Sequence, residues 1–460
     1  MPDQAKLTQG STLKHVVVMS FTNALGLMCM FLVDLVDMLF LSFLDEKEAL
    51  AAVGYASTVM FFTISISIAV SVAATALVAR AIGEGRVEEA RQRAVSVLVF
   101  GVLFSTAIVA LLWPNVSMIL SFIGASGRSL SLASGYLHIL ILGMPAVMIG
   151  MIASGIMRAL GDARRAMYVT LVGGIINAVL DPIFIFSLGL GVEGAALASL
   201  IARLSMVVVS YYGVVSVHNM LGKFHLSHFC RDIRPICVIA LPAMLTNMSS
   251  PLANAIVMEH TATFGDDAVA AIAIIGRIIP VVFGGLFALS GAVGPILGQN
   301  YGAGHFDRMH RAIGSAVLYA FAYCLVLCTA LYLVQDWLVA IFHATKGTAD
   351  LIHFFATYVS FSFFFQSLLF IGIAVFNNLG KPFNSTLLNF GRAILGTWPL
   401  IIVFGWFMGA EGVLLGQAVG SVIFGCLGFF LGRRYIHTLE KKETRDLRID
   451  DRLAYDDPLL

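Results

Sequence analysis

The chain has 460 residues, 59% apolar and only 12% charged, with a net charge of +1 and mean hydropathy of +0.91. Soluble globular chains sit near about 45 to 50% apolar and about 25% charged, so this composition excludes a single aqueous core and requires a bilayer as solvent. The near-zero charge gives no basis for nucleic-acid binding, and the absence of a GxxxxGK[ST] phosphate loop excludes ATP coupling of that type within the chain.

Apolar runs of roughly 20 or more residues predict twelve membrane-spanning helices, at 15–42, 51–79, 94–118, 131–157, 166–188, 192–217, 235–263, 269–298, 312–342, 351–377, 385–407 and 411–433. Residues 1–14 are polar and lack the pattern of a removable signal, so the first span is expected to act as its own insertion signal. It carries Asp34 and Asp37 in LVDLVDMLF, three residues apart and so roughly on one helix face. His138, in the fourth span, reads as a helix-packing residue.

The fifth span leads into GGIINAVLDPIFIFSLGLGVEGAALAS, Gly173 to Ser199, which sets Asn177 and Asp181 one helical turn apart in an apolar run. An acid near the middle of a membrane helix costs about 2.5 to 3.5 kcal/mol on insertion scales, so a functional role is its default reading. Pro182 then leaves the carbonyl of Ala178 without its usual donor and loosens the helix beside the acid.

Arg203, Arg277 and Arg392 fall inside the sixth, eighth and eleventh spans, where they are expected to bond backbone carbonyls or line a cleft. Glu259 and His260 close the seventh span and read as interfacial. The six cysteines have no metal-ligand spacing and imply no disulfide framework. The tail 435–460, with mixed charges, is expected to be a frayed helix or disordered.

With the N-terminus inside, 22 of the 28 Lys and Arg fall on that side, which predicts cytoplasmic placement of both termini. The chain also repeats itself. Ala49-Leu50-Ala51-Ala52-Val53 returns as Ala268-Val269-Ala270-Ala271-Ile272, Gly83-Glu84-Gly85 as Gly302-Ala303-Gly304, and Leu160-Gly161 as Leu379-Gly380, all at an offset of 219. Six spans per unit is an even number, so both halves start on the same side. The expected fold is therefore an all-α integral membrane protein of two parallel-repeat six-helix lobes, related by an axis along the membrane normal. The divisions are 1–217 for the N-lobe, 218–234 for the linker, 235–434 for the C-lobe and 435–460 for the tail.

The symmetry breaks at the acids. The counterparts of Asp37, Asn177 and Asp181 are Ile256, Gly396 and Leu400. A requirement of the scaffold would appear in both halves, so these polar residues belong to function. From 1.5 Å rise per residue, Asp37 and Asp181 differ in depth by only about 3 Å and could meet in the outer half of the first bundle. Two close carboxylates in a dry site cannot both ionise cheaply, so the pair could hold one exchangeable proton. Alternatively, the oxygens of Asp37, Asn177, Asp181 and Ser199 suit a hard cation such as Na+. Asp34 is a further candidate, with a structural pairing to a fifth- or sixth-span polar group as its alternative.

Three stretches together resemble the multidrug and toxic compound extrusion (MATE) family: VDMLFLSFLDEKEALAAVG, ARAIGEGRVEEARQRA with its second-half counterpart GQNYGAGHFDRMHRA, and INAVLDPIFIFSLGLGVEGAALAS. The resemblance runs over residues 15–434. It implies two six-helix lobes forming a V, alternating access driven by H+ or Na+, and export of amphipathic, often cationic drugs or toxic metabolites. The chain is similar to the DinF branch, whose N-lobe ion network matches Asp37, Tyr136, Asn177, Asp181 and Ser199, the last where a Thr is usual. Ser250 stands where the NorM branch has a seventh-span Glu, and no acid occurs between 351 and 380. The first span also lacks the proline frequent in the family, Asn23 standing where the repeat has Pro242, so any break there would fall to Gly26.

These readings predict a multidrug efflux antiporter. It would be multi-pass in the cell membrane, the inner one in a Gram-negative source, monomeric, in contact with membrane lipids, and in need of no cofactor beyond the coupling ion. A lipid-linked precursor flippase is the alternative and would need several arginines converging in a cationic cleft. No HExxH or GxSxG arrangement supports an enzyme.

Overall fold

The computed structural model describes residues 5–43 and 47–455, leaving undescribed the side chains at 34, 35, 38, 42, 47 and 50 and those of 445–455. The described residues contain no strand. Among them ten helices are long and apolar enough to cross a bilayer, and two bent pairs complete a set of twelve. The first six spans are Thr12–Ser42, Lys47–Gly83, Val87–Phe122, Gly127–Ala159, Ala163–Ser187 and Gly191–Val217. The second six are Leu226–Ala262, Asp266–Gly302, Phe306–Ile341, Lys346–Asn378, Pro382–Met408 and Ala410–Tyr455. The two sets form the two lobes of the fold.

Several expected spans are modified for identifiable reasons. The fourth bends by 46° at Gly143, where the following Pro145 can donate no backbone hydrogen bond. The tenth bends by 57° after Val359, where a π-turn over Phe355–Val359 ends. The seventh begins at Leu226 rather than 235, shortening the linker. Residues 226–234 are too polar to read as membrane helix, yet their Asp232 is buried and accepts a hydrogen bond from Ser96 Oγ at 2.8 Å. The tail continues the last helix through Tyr455 instead of fraying after Arg434. The first span is unbroken, and Gly26 serves a close approach instead of a break, since a Cβ there would lie 2.9 Å from Thr170 Oγ1.

Lipid supplies no hydrophobic drive between helices, so contact depends on small residues and hydroxyls. The second span meets the fourth through a buried alanine-rich face, with Ser71 Oγ donating to the Met151 carbonyl (2.6 Å) and Thr75 Oγ1 to that of Gly155 (3.2 Å). Where the second span touches the eighth, the repeat becomes visible in space. A Cβ on Gly83 would sit 2.1 Å from the Gln299 carbonyl oxygen, and one on Gly302 2.3 Å from that of Arg80. Gln299 is the repeat mate of Arg80, and Gly302 that of Gly83. The contact is self-reciprocal, as a twofold axis between the lobes requires.

Residues near the N-terminus reinforce this contact on the face that carries the basic loops. Leu7, fully buried, donates its N–H to Gln299 Oε1 (3.0 Å), while Gln299 Nε2 donates to the Ala159 carbonyl across the lobe boundary (2.6 Å). Asn300 Nδ2 donates to the Leu7 carbonyl (3.1 Å). The lobes are thus closed together on the basic face.

On that face Asp162 caps the fifth span, accepting from Arg165 N at 3.2 Å, pairing with the Arg165 guanidinium and meeting His218 Nε2 at 2.9 Å. Partial burial alone would favour its neutral form, but the His218 and Arg165 bonds prevail and hold the carboxyl well below the usual carboxylate range. A depressed folded-state pKa contributes stability above the unfolded value and loses it as pH falls through the folded one. Asp162→Asn should therefore lower the thermal midpoint at pH 6 to 8, and the gap to wild type should narrow below roughly pH 4. Melting curves of both proteins across that range check the sign.

Candidate functional site

Asn177 and Asp181 occupy one face of the fifth span and point into the first lobe, where Asp37 of the first span and Ser199 of the sixth meet them. All four are buried, Asp181 completely. Asn177 Nδ2 donates to Asp37 Oδ1 (2.8 Å) and to Asp181 Oδ2 (2.6 Å), and Ser199 Oγ donates to Asn177 Oδ1 (2.9 Å). The amide thus bridges both acids while the hydroxyl fixes which way it faces. The two carboxyl groups are also close enough to interact directly.

The local sequence explains the convergence. Gly174 lets the first span approach, since a Cβ there would lie 2.5 Å from Cys29 Sγ. Past Pro182 the helix widens into a π-turn over Ile183–Ser187, a distortion frequent at functional sites. Arg203 lies near enough for its charge to act on Asp37, and it donates Nη1 to the Leu140 carbonyl at 2.8 Å.

Asp37, Asn177, Ser199 and Arg203 line a cavity of about 110 Å³ together with Met151 and Met206. Drug-sized sites run from about 300 to 1,000 Å³, whereas a water needs only some tens of Å³. This cavity therefore has the scale of an ion with a few waters. Its carboxyl, amide and hydroxyl oxygens can share a proton or ligate a hard cation. Tyr136 is buried in the adjoining outer apolar cluster, outside the lining of this cavity. The side chain of Asp34 lies outside the described residues. His138 is held between the carbonyls of Ser134 (2.7 Å) and Trp113 (3.0 Å), a packing role. Arg277 and Glu259 are exposed.

Two larger cavities adjoin each other. One, of about 240 Å³, lies between the lobes and is lined by Asn23, Arg158, Asn247 and Asn377 among others; the second, of about 520 Å³, is in the C-lobe and includes Arg392. Ser250, Phe287 and Phe370 belong to both. By sequence Arg158 counts as a basic loop residue after the fourth span, yet it faces the cleft and donates to Ser71 Oγ at 3.1 Å. Apolar-run boundaries cannot reveal this, because a charge at a run's end looks the same pointing outward or inward.

A family model described as MatE matches residues 23–183 and 242–421. A protein named FAD transporter, from Shewanella oneidensis, is 28% identical over 444 residues, covering 94% of this chain and 97% of that one. Multidrug export protein MepA of Staphylococcus aureus (strain NCTC 8325 / PS 47) is 22% identical over 410 residues, covering 87% and 89%. Among solved structures, a crystal structure of MATE in complex with MaL6 aligns with a TM-score of 0.89 at 25% identity over 95% of this chain and 99% of the other.

Proposed function

The chain belongs to the MatE family, and from that premise we propose that it exports amphipathic small molecules in exchange for an ion taken up through the first lobe. Members of the family and its structural neighbours are transporters, and this chain is a transporter and not an enzyme. The observation that carries the coupling reading is the single amide, Asn177, that bonds both Asp37 and Asp181 and lines, with Asp37, a cavity of ionic size. H+ or Na+ reaching that cavity changes the charge that three helices share, and the rearrangement releases cargo outward. Asp37, which lines the cavity, is the carboxyl group that an arriving proton or cation meets first, with Asp181 behind it across Asn177.

The basic face, with both termini, lies in the cytoplasm by the distribution of Lys and Arg, in a cell membrane, and the transporter acts as a monomer. Closed on that face, the structure represents the state from which cargo leaves on the other side. A single charge crossing 100 mV supplies about 2.3 kcal/mol, enough to sustain about a 50-fold gradient of a neutral cargo. FAD, the cargo printed in the name of the Shewanella relative, is a candidate beside drugs. The flippase alternative has less support, because Arg203, Arg277 and Arg392 do not converge: the first lines the small N-lobe cavity, the second is exposed and the third lines the C-lobe cavity.

The test uses everted vesicles carrying the full chain, loaded inside with acid in one arm and with sodium in another. Cationic, neutral and anionic planar dyes serve as cargo. Uptake of a dye driven by either gradient, and lost when that gradient is collapsed, is the expected result. Dye movement indifferent to both gradients would overturn the proposal.

A further inference from the structure

Arg392 is only 7% exposed, and its guanidinium has no hydrogen bond or ion pair among the described residues, its Nε being buried without a partner. It opens on the 520 Å³ C-lobe cavity, whose lining contains no Asp or Glu. Amides and hydroxyls line the same cavity, Gln366, Gln417, Asn254 and Ser421 among them. Phe287, Phe355, Phe363 and Phe370 supply aromatic walls, packed mostly edge to face with Phe363 at the centre. The adjoining cavity between the lobes also holds one arginine, Arg158, and no acid. Its Nε is likewise buried without a partner.

A buried guanidinium without a counter-ion is costly, so a site that keeps one has use for an anion to fill it. Arginine presents a planar fork of donors that matches carboxylate and phosphate oxygens in pairs, and such charged hydrogen bonds are the strong ones. Edge-to-face phenylalanines accept the face of a flat ring without selecting its polar substituents. The acids of the ion site, Asp37 and Asp181, lie in the other lobe, and no Asp or Glu lines this cavity to compensate Arg392 within it.

We propose that the C-lobe cavity selects planar aromatic compounds bearing a carboxylate or phosphate, with Arg392 as the residue that sets this polarity. The proposal rests on the reading of the chain as an exporter and reverses the cationic preference that family resemblance leads one to expect. A cationic cargo here would meet an uncompensated positive charge. An anionic one would provide the partner that Arg392 lacks, and its ring would replace water against the phenylalanines.

Equilibrium binding to the purified full chain tests this with three probes: riboflavin 5′-phosphate, riboflavin, which has the same ring and no charge, and ethidium, a planar cation. The expected order places riboflavin 5′-phosphate at least tenfold tighter than riboflavin, with ethidium weakest. Arg392→Gln should bring the two flavins within threefold of each other, Arg392→Lys should restore part of the preference, and retained riboflavin binding certifies the fold of each variant. Tighter binding of ethidium than of riboflavin 5′-phosphate would overturn the proposal, as would a flavin ratio unchanged in Arg392→Gln. Binding needs no gradient, so a failure here with gradient-driven export intact removes only the polarity. Selective binding without gradient-driven movement would instead remove the export reading on which it stands.

Discussion

Asp181→Asn, and separately Asp37→Asn, are expected to reduce gradient-driven export to background while leaving the folded protein in the membrane. Asparagine has nearly the size and shape of aspartate, so the packing between the first, fifth and sixth spans survives. What is lost is the ability to gain and lose charge. Asn177 currently divides its two amide hydrogens between Asp37 and Asp181, and replacing either acid with an amide leaves no pair to share a proton or ligate a cation. Wild type should sustain about a 50-fold cargo gradient at 100 mV, and either variant about none. Ser199→Ala is the graded control. It removes one neutral hydrogen bond, worth about 0.5 to 1.5 kcal/mol, and should leave most of the transport. Dye efflux from cells expressing each variant at matched levels measures all three, and full activity in either Asp variant would count against the coupling site.

The second large effect concerns closure on the basic face. Gly83→Val, or Gly302→Val at its repeat mate, should prevent the second and eighth spans from meeting, because each new Cβ would press into a backbone carbonyl that has no side-chain freedom to yield. Overpacking of this kind costs about 1 to 3 kcal/mol, which shifts the closed population by roughly 5- to 150-fold. Arg86 and His305 are exposed repeat mates on the two lobes. Spin labels on Arg86→Cys and His305→Cys, in a chain freed of its natural cysteines, report the separation directly. The distance should lengthen in the glycine variant, with slower export. A distribution identical to that of the parent would show that the glycine contact does not hold this face shut.

Much of this architecture is legible in the sequence because membrane helices declare themselves by apolar length and the two halves repeat at a fixed offset. The meeting of Asp37 and Asp181 is legible too, since both lie at nearly the same depth on spans running in one direction. Asn177 is recognisable from its one-turn spacing to Asp181. Its role as a bridge to both acids is not, because that depends on the rotation of the first and fifth helices about their axes. The same limit hides Arg158, whose direction at a span's end is invisible in one dimension. The bends at Gly143 and after Val359 fall inside unbroken apolar runs, so hydropathy cannot mark them. Residues 226–234 fail as membrane helix for the opposite reason, being polar yet helical where the seventh span emerges. Arg392 stands out as a charge in an apolar run, but only the three-dimensional arrangement shows that no acid faces it.

The most direct measurement of ion coupling is on the ion side. Proteoliposomes loaded with a pH dye, and a parallel set loaded with a sodium indicator, receive cargo on the outside, and ion movement is followed at the moment of addition. The expected result is cargo-triggered flux of one of the two ions in wild type and none in Asp181→Asn or Asp37→Asn. Ion flux that persists unchanged in both variants, or cargo movement with neither ion responding, would contradict a coupling site built on these acids.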